Sequence, residues 1–476
     1  MKLSSRLPTS VAAAAVATVL LASSTLAHSV GRNPLTSLGA LHNVSIDTTS
    51  HRVTALSSFD LSFAIHEPQT SDDNASQTKS RPRRKVRLAL EPNHDIIPSQ
   101  ASVKFLAADG SVKREEPIDR LSHKVYRGTA WVQELGPHGD DLGKDYYAAG
   151  TARIVIRKDG ARPLFEGSFD IRHDHHHVKL SSSYRRTRHA HSPDLPDTAD
   201  IADYKEGDEY MVVFKDSDLA PDGWEDAHHE LKRDLNSKKL ACEADSLDFN
   251  MQPNHPIRMI GDGSSQNQQG YSPNFMGMPV PSIFRRQIDI GVPGFGNGAG
   301  VNLETTIGET SGCPNERKIA LIGVVTDCSY TASFDSDDDV RENVIAQINS
   351  ASNLFEKTFN IAIALQNLTV SEPDCPSTAS QETPWNEECG LNFSIKQRLN
   401  VFSAWRGDQG ADSNSHWMML TACDAGSAVG LAWLGQACES EAFESNPGGD
   451  PNSGENDISS GANVVVRTDA EWQVIA

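Results

Sequence analysis

The stretch Lys318–Asp327, KIALIGVVTD, sets the character of the second half of this chain. Its unbroken apolar run is rich in β-branched residues and stops at an aspartate, which predicts a buried strand. Three acids, Asp337–Asp339, then precede a stripe of apolar residues at helical spacing that runs to Phe355. Acidic residues suit the positive end of a helix dipole, so a helix is expected here. Ile361–Val370 predicts another buried strand.

The same alternation continues toward Ala476. Ser394 and Gln397 form a capping box, which predicts a helix ending at Gly407. Further strands are predicted at His416–Ala422, Ala428–Leu434 and Asn463–Arg467. Thr468 and Glu471 form a second capping box that opens a last helix. Strands alternating with helices predict an α/β layer arrangement, in which helices pack against a twisted, mostly parallel sheet.

The first half of the chain has a different rhythm. From about Arg52 to Leu180, apolar residues alternate with polar ones between turn signals such as Asp159-Gly160. This period of two predicts antiparallel strands with one buried face. Residues 172–230 are rich in His, Asp, Arg and Ser, a composition typical of a linker. The predicted fold class is therefore α+β and α/β multidomain, with a β-rich part followed by an α/β part.

Charge and the first residues indicate the compartment. The 476 residues carry a net charge of −21, from 43 basic and 64 acidic residues, which argues against a nucleic-acid partner. Lys2 and Arg6 precede an apolar run and the small residues Thr25–Ala27, so residues 1–27 are predicted to be a secretory signal peptide. The expected location is the secretory pathway, then the extracellular space or the cell surface.

Several short motifs fit a secreted protein. Four Asn-x-Ser/Thr sequons are candidate glycosylation sites: Asn43, Asn74, Asn367 and Asn392. Arg285 and Arg286 lie at a change of composition and are predicted to be cut by a dibasic processing protease. The chain has seven cysteines, so at least one has no partner within it. Cys375 and Cys389 bracket a loop with Pro and Ser and are the disulfide most readily proposed.

Two histidine motifs raise the question of metal binding. His173 and His175–His177 invite a metal hypothesis, but adjacent strand residues point to opposite faces and seldom converge on one ion. A solvated His-rich segment is favoured, and a metal-binding module is kept as an alternative. His229-Glu230 is followed by Arg233 where a zinc helix needs its second histidine, so this is no metalloprotease motif.

Several long stretches of the second half carry a family resemblance. They are RKIALIGVVTDCSYTASF, NVIAQINSASNLFEKTFNIAIALQNLTV, SAVGLAWLGQAC and GANVVVRTDAEWQVIA. Together they resemble the metalloprotease domain of the fungal ADAM family, zinc endopeptidases of the reprolysin type within the metzincins. HHELKRDLNSKKLACEADSLDFN is similar to that family's prodomain. The resemblance implies a prodomain over residues 28–286 and the N-terminal part of a metzincin-like catalytic domain over residues 287–476.

The resemblance also implies where the catalytic centre belongs. In that family the last matching helix continues into His-Glu-x-x-His-x-x-Gly-x-x-His, which supplies three zinc ligands and a general base. The sequence stops at Ala476, where this motif is expected to begin. We therefore expect a precursor truncated just before its active site, with zinc held only by the full-length product. The alternative is a non-catalytic secreted protein that binds peptides or proteases as a decoy.

Other roles follow from the resemblance. Gly430, Leu431, Ala432 and Trp433 match the edge strand that lies antiparallel to substrate, the alternative being a buried strand with a core tryptophan. Cys242 is a candidate inhibitory thiol that would occupy zinc in the precursor, unless it forms a structural disulfide. Cys438 resembles a family cysteine whose partner lies downstream.

The expected partners are likewise those of the family. They are protein and peptide substrates, the protein's own prodomain as inhibitor, and a dibasic processing protease. A membrane is expected only through a C-terminal segment that would follow Ala476.

Overall fold

The computed structural model describes residues 33–66, 84–135, 145–196, 205, 207–220, 247–252, 313–390, 393–423, 428–444 and 457–476, and the backbone of 274–275 and 278–279. The strands are β1 Gly39–Ile46, β2 Phe59–His66, β3 Arg84–Pro92, β4 Ser102–Leu106, β5 Val112–Pro117, β6 Val125–Glu134, β7 Tyr147–Lys158, β8 Leu164–Ile171, β9 Asp174–Leu180, β10 Met211–Lys215, β11 Asn274–Phe275, β12 Met278–Pro279, β13 Lys318–Thr326, β14 Ile361–Val370, β15 His416–Thr421, β16 Gly430–Ala432, β17 Phe443–Glu444, β18 Ile458–Ser459 and β19 Ala462–Val466. The helices are α1 Ser181–Thr187, α2 Asp248–Met251, α3 Cys328–Thr331, α4 Asp337–Phe359, α5 Ile395–Gln409 and α6 Glu471–Ile475, with a 3-10 turn at Asp216–Asp218.

The N-terminal half is built around a closed barrel of eight antiparallel strands. Their order around the barrel is β1, β10, β9, β8, β7, β6, β3, β2. Phe63 stands at the centre of the interior, with its ring 5.6 Å from the rings of both Phe165 and Phe169. A barrel of this size has just enough room for side chains, and the alternating apolar residues of each strand fill it. The predicted antiparallel strands of the first half are confirmed.

The segment predicted as a linker closes this barrel. β9 pairs with β8 on one side and with β10 on the other, and β10 pairs with β1. The loop or linker prediction for residues 172–230 is therefore wrong for β9, α1 and β10, whereas residues 188–196 and 207–210 contain no regular helix or strand. The polar composition of β9 does not exclude a strand, because the side chains of His175 and His177 contact carboxylates of the protein. His176 stacks on Phe169 in the barrel, at 5.1 Å between ring centroids.

The C-terminal half contributes five strands to a seven-stranded mixed sheet of order β16, β19, β15, β13, β14, β4, β5. The remaining two, β4 and β5, form a hairpin inserted between barrel strands β3 and β6. Ser102–Phe105 of β4 pair in parallel with Asn367–Val370 of β14. α4 packs between this sheet and the barrel, and its core includes Val125 and Val155 of the barrel wall. α5 covers the opposite face of the sheet.

The predicted fold class, a β-rich part followed by a metzincin-like α/β domain with a twisted, mostly parallel sheet, is wrong. The described residues are mostly β, their largest closed unit is the antiparallel barrel, and their helices are few. The second sheet is also not self-contained, since β4 and β5 come from the first half. Local periodicity cannot reveal the pairing of Val103 with Leu368, because these two residues lie far apart in sequence.

The helix ends test two predicted capping boxes and one predicted acidic helix start. Ser336 caps α4, its hydroxyl accepting from the Asp339 N–H at 3.2 Å among the predicted acids. The capping box of Ser394 is confirmed in α5, although that helix runs to Gln409 and not to Gly407. The box predicted for α6 is wrong. No side chain caps this helix, because the Glu471 carboxylate is buried and accepts a hydrogen bond from the Tyr330 hydroxyl at 2.5 Å.

Candidate functional site

The candidate site is the outer edge of the seven-stranded sheet, formed by β16. β16 pairs antiparallel with β19, with Leu431 opposite Val464. The Val466 N–H donates to the Val429 carbonyl at 2.7 Å, which makes these two a hydrogen-bonded pair. Bonded and non-bonded pairs alternate along an antiparallel ladder. Leu431 therefore directs its backbone groups to β19, whereas those of Gly430, Ala432 and residue 434 face away from it.

The side chains of this strand tie it to the core. Leu431 and Trp433 are buried, and the Trp433 indole N–H donates to the Ser403 hydroxyl at 2.8 Å. A side chain on Gly430 would come within 2.6 Å of Val474 in α6, so a residue with no Cβ is needed there. The binding of substrate by residues 430–433 stays a prediction. Trp433 is a core residue, and the strand it follows is a sheet edge.

A buried charge cluster lies inside the sheet, at the end of β13, which is separated from β16 by β19 and β15. Asp327 and Arg398 are both almost fully buried and pair at 3.2 Å. Asp327 also accepts from the Thr421 hydroxyl at 2.6 Å and from the Tyr330 N–H at 2.8 Å. Burial raises the pKa of Asp327, and the guanidinium of Arg398 opposes this rise. The cluster joins β13, α3, α5 and β15, so it holds the sheet together. This cluster was not predicted from the sequence, although an aspartate directly after an apolar strand is a usable signal.

The histidines of β9 do not form a metal site. His175 and His177 point to one side of the strand and His176 to the other, as expected for adjacent strand residues. The His175 ring contacts the Asp170 carboxylate at 2.5 Å, and the Trp472 indole N–H donates to Nδ1 of His177 at 3.0 Å.

The described residues contain no group of three or more His, Cys, Asp or Glu side chains arranged to hold a metal ion. They do not fit a zinc site, and no chemical step is assigned to zinc in this chain.

The histidine segment is also less solvated than predicted. His176 and His177 are each 3% exposed, so the solvated interpretation of this part is wrong. Burial lowers the pKa of His176 to about 4. The Nε2–H of His177 is left to donate to Asp216 at 2.7 Å, since Nδ1 accepts from the indole. His173 is exposed in the turn before β9.

The disulfides differ from the predicted one. Cys328 bonds to Cys375, and Cys389 bonds to Cys423. The predicted pairing of Cys375 with Cys389 is wrong, because the loop between them spans two separate attachment points on the sheet. Cys313 and Cys438 are free in the described part of the chain. Cys242 lies outside the described residues, so its inhibitory role stays a prediction.

The remaining motifs are placed as follows. Asn43 is exposed in β1, whereas Asn367 is half-buried within β14. Asn74, Asn392, Arg285 and Arg286 lie outside the described residues. None of the helices that the structure describes is long and apolar enough to cross a membrane.

Comparison with known proteins identifies the class. Residues 315–476 match the model of metallo-peptidase family M12, a zinc-dependent family, and this match contains the whole β13–α6 region. The second part of the chain is thus a metallopeptidase domain of that family. Over 440 residues the chain is 41% identical to disintegrin and metalloproteinase domain-containing protein B of Aspergillus fumigatus, covering 92% of this chain and 50% of that protein. The resemblance to the fungal ADAM family is thus confirmed as a similarity that extends over most of this chain.

Two further relatives agree with this assignment. The protein of the same name from Arthroderma otae is 37% identical over 460 residues, covering 94% of this chain and 51% of that protein. Zinc metalloprotease mde10 of Schizosaccharomyces pombe is 30% identical over 86 residues, which is 18% of this chain and 16% of that protein. The chain spans about half the length of the protein B relatives it matches.

Proposed function

We propose that this chain is the N-terminal part of the precursor of a secreted or cell-surface zinc metalloendopeptidase that cleaves peptide bonds in proteins. The observation that carries the proposal is the edge strand β16, within a region matching metallo-peptidase family M12. Its outward backbone groups at Gly430 and Ala432 can pair with an extended peptide. Such pairing uses main-chain atoms only, so it suits an enzyme that accepts many sequences.

The chemistry itself is proposed for a longer product. The printed sequence contains no His-Glu-x-x-His motif, so it has neither that set of zinc ligands nor the glutamate that serves as general base. We expect this chain alone not to hydrolyse peptide bonds. Zinc would be bound by residues that follow Ala476.

The N-terminal half, up to residue 286, is proposed to act as an inhibitory prodomain. It shares one hydrophobic core with α4, and Phe105 and Ile118 of its β4–β5 region belong to that core. Ion pairs also join the halves: Arg153–Glu356, Arg157–Glu342, Lys357–Asp170, Arg341–Glu116 and Lys113–Glu372. With so many contacts, cleavage at Arg285-Arg286 should leave the two halves associated.

Secretion is proposed from three independent features. They are the predicted signal peptide over residues 1–27, the sequons, and two disulfides, which form and persist in oxidising compartments. Mass spectrometry of the secreted product tests this part. A mature N-terminus close to residue 28 supports it, and a retained Met1 contradicts it.

The decisive experiment is to sequence the transcript beyond the codon for Ala476. Continuation into His-Glu-x-x-His with a third histidine supports the proposal. The encoded product should then cleave casein, and a zinc chelator should abolish that activity. A stop codon directly after Ala476 refutes the enzyme proposal for this product. The decoy alternative would then be tested by measuring whether the chain binds casein without cutting it.

A further inference from the structure

A short segment of the N-terminal half covers the outer side of β16. This segment, Leu247–Met251, contains α2, and its residues Leu247 and Asn250 are fully buried. The Phe249 ring meets the Trp433 ring edge-on, with centroids 5.8 Å apart. The Phe249 N–H donates to the buried Asp457 carboxylate at 2.7 Å. The segment is therefore anchored to the C-terminal half through Leu247, Phe249 and Asn250.

The Asn250 side chain pairs with the strand backbone. Its Nδ2–H donates to the Ala432 carbonyl at 3.3 Å, and its Oδ1 accepts from the Leu434 N–H at 3.0 Å. These groups face away from β19, as the alternation of the ladder requires. A carboxamide offers the same donor and acceptor as a peptide unit. One residue of an added parallel strand would engage the same carbonyl and the same N–H.

We infer that Leu247–Met251 is an internal plug that closes the outer edge of β16 to extended peptides. The inference deepens the proposed function and rests on it for the nature of the competitor. The segment precedes Arg285-Arg286, so it belongs to the half proposed to inhibit. It acts on the peptide-binding edge through a side chain that replaces a strand, which needs neither a thiol nor a metal.

The contact between Leu247–Met251 and β16 is expected to be favourable even without substrate. An exposed edge strand presents unpaired N–H and C=O groups and invites pairing with another chain. Asn250 satisfies one such carbonyl and one such N–H, and Phe249 shields the indole beside them. The two hydrogen bonds and the ring contact must all be given up before a peptide can occupy the same edge.

The test compares Asn250→Ala with Asp248→Ala in the 476-residue chain. Asp248 is exposed in the same segment and serves as the matched control. Hydrogen exchange should show the Leu434 amide exchanging at least tenfold faster in N250A and within twofold of wild type in D248A. The Leu431 amide, which faces β19, should stay unchanged in both. If N250A does not fold, Asn250→Asp keeps an acceptor for the Leu434 N–H but loses the donor to Ala432.

Peptide binding is measured on the same variants by fluorescence anisotropy. The probe is a soluble, fluorescein-labelled decapeptide rich in threonine and valine, and N250A should bind it at least fivefold more tightly than wild type. Unchanged exchange at Leu434 overturns the plug, as does measurable binding of the peptide with equal affinity by wild type and N250A. Faster exchange with no binding by any variant supports the plug and refutes the proposed substrate edge instead.

Discussion

The side chain of Asn349 on α4 connects the C-terminal half to the N-terminal half through buried hydrogen bonds. It is fully buried, it accepts from the Asn93 amide at 2.8 Å, and it donates to the Tyr126 carbonyl at 3.1 Å. Asn349→Ala leaves both partners buried without these bonds. A buried group deprived of its partner costs about 1–3 kcal/mol, and the better helix propensity of alanine returns about 0.5 kcal/mol. With two such partners, we expect the free energy of unfolding to fall by about 1.5–5.5 kcal/mol.

Urea unfolding, followed by tryptophan fluorescence and by far-UV circular dichroism, measures this change. Leu354→Ala is the control, because Leu354 lies on the same helix and is exposed. It should alter the free energy of unfolding by no more than about 0.5 kcal/mol.

A double-mutant cycle isolates the bond between Asn93 and Asn349. The double variant N93A/N349A should be more stable than the sum of its single changes predicts, by about 0.5–3 kcal/mol, since no orphaned amide remains. Unfolding of N349A like that of L354A, or simple additivity of the effects of N93A and N349A, would contradict this role of Asn349.

Three further outcomes follow from other contacts. Arg153→Met should lower the free energy of unfolding by about 3 kcal/mol, the low end for breaking a buried ion pair, because a second arginine still contacts Glu356; adding Glu356→Leu should restore part of the loss in urea unfolding. Glycopeptide mapping should find Asn43, exposed at a positive φ, glycosylated, and Asn367, half-buried in β14, unmodified. The hydrogen bond to the Asp170 carboxylate raises the pKa of His175. The contribution of His175 to the free energy of unfolding is therefore present below the unfolded pKa of about 6.5 and is lost as pH rises through the folded pKa. His175→Gln should therefore reduce the free energy of unfolding more at pH 5.5 than at pH 8, and an equal reduction at both would contradict this.

Asp170, the carboxylate partner of His175, contributes to stability with the opposite dependence on pH. Burial works to raise the pKa of Asp170, but hydrogen bonds from His175, Lys357 and Thr151 lower it overall. Its contribution is therefore present above the unfolded carboxyl pKa of about 4 and is lost as pH falls through the folded value. The pair thus supports the barrel wall most strongly in the mildly acidic range between the two ordinary pKa values.

The sequence by itself determined the elements that local periodicity and local chemistry specify. Apolar runs marked β13 and β14, and Ser394 with Gln397 marked the start of α5. The family resemblance could also be recognised from the sequence, because it rests on long matching stretches in the same order and not on contacts between distant residues. These features depend on residues that are neighbours along the chain, where side-chain period and capping act directly.

The tertiary structure alone decided which distant segments meet. It placed β4 beside β14, closed the barrel with the histidine strand β9, and changed the predicted partner of Cys375. It also brought Asn250 onto the outer edge of β16. Each of these joins residues far apart in sequence, and their pairing follows from the burial and hydrogen bonding of the whole chain. A polar composition such as that of β9 indicates a linker only until the fold supplies internal partners for its side chains.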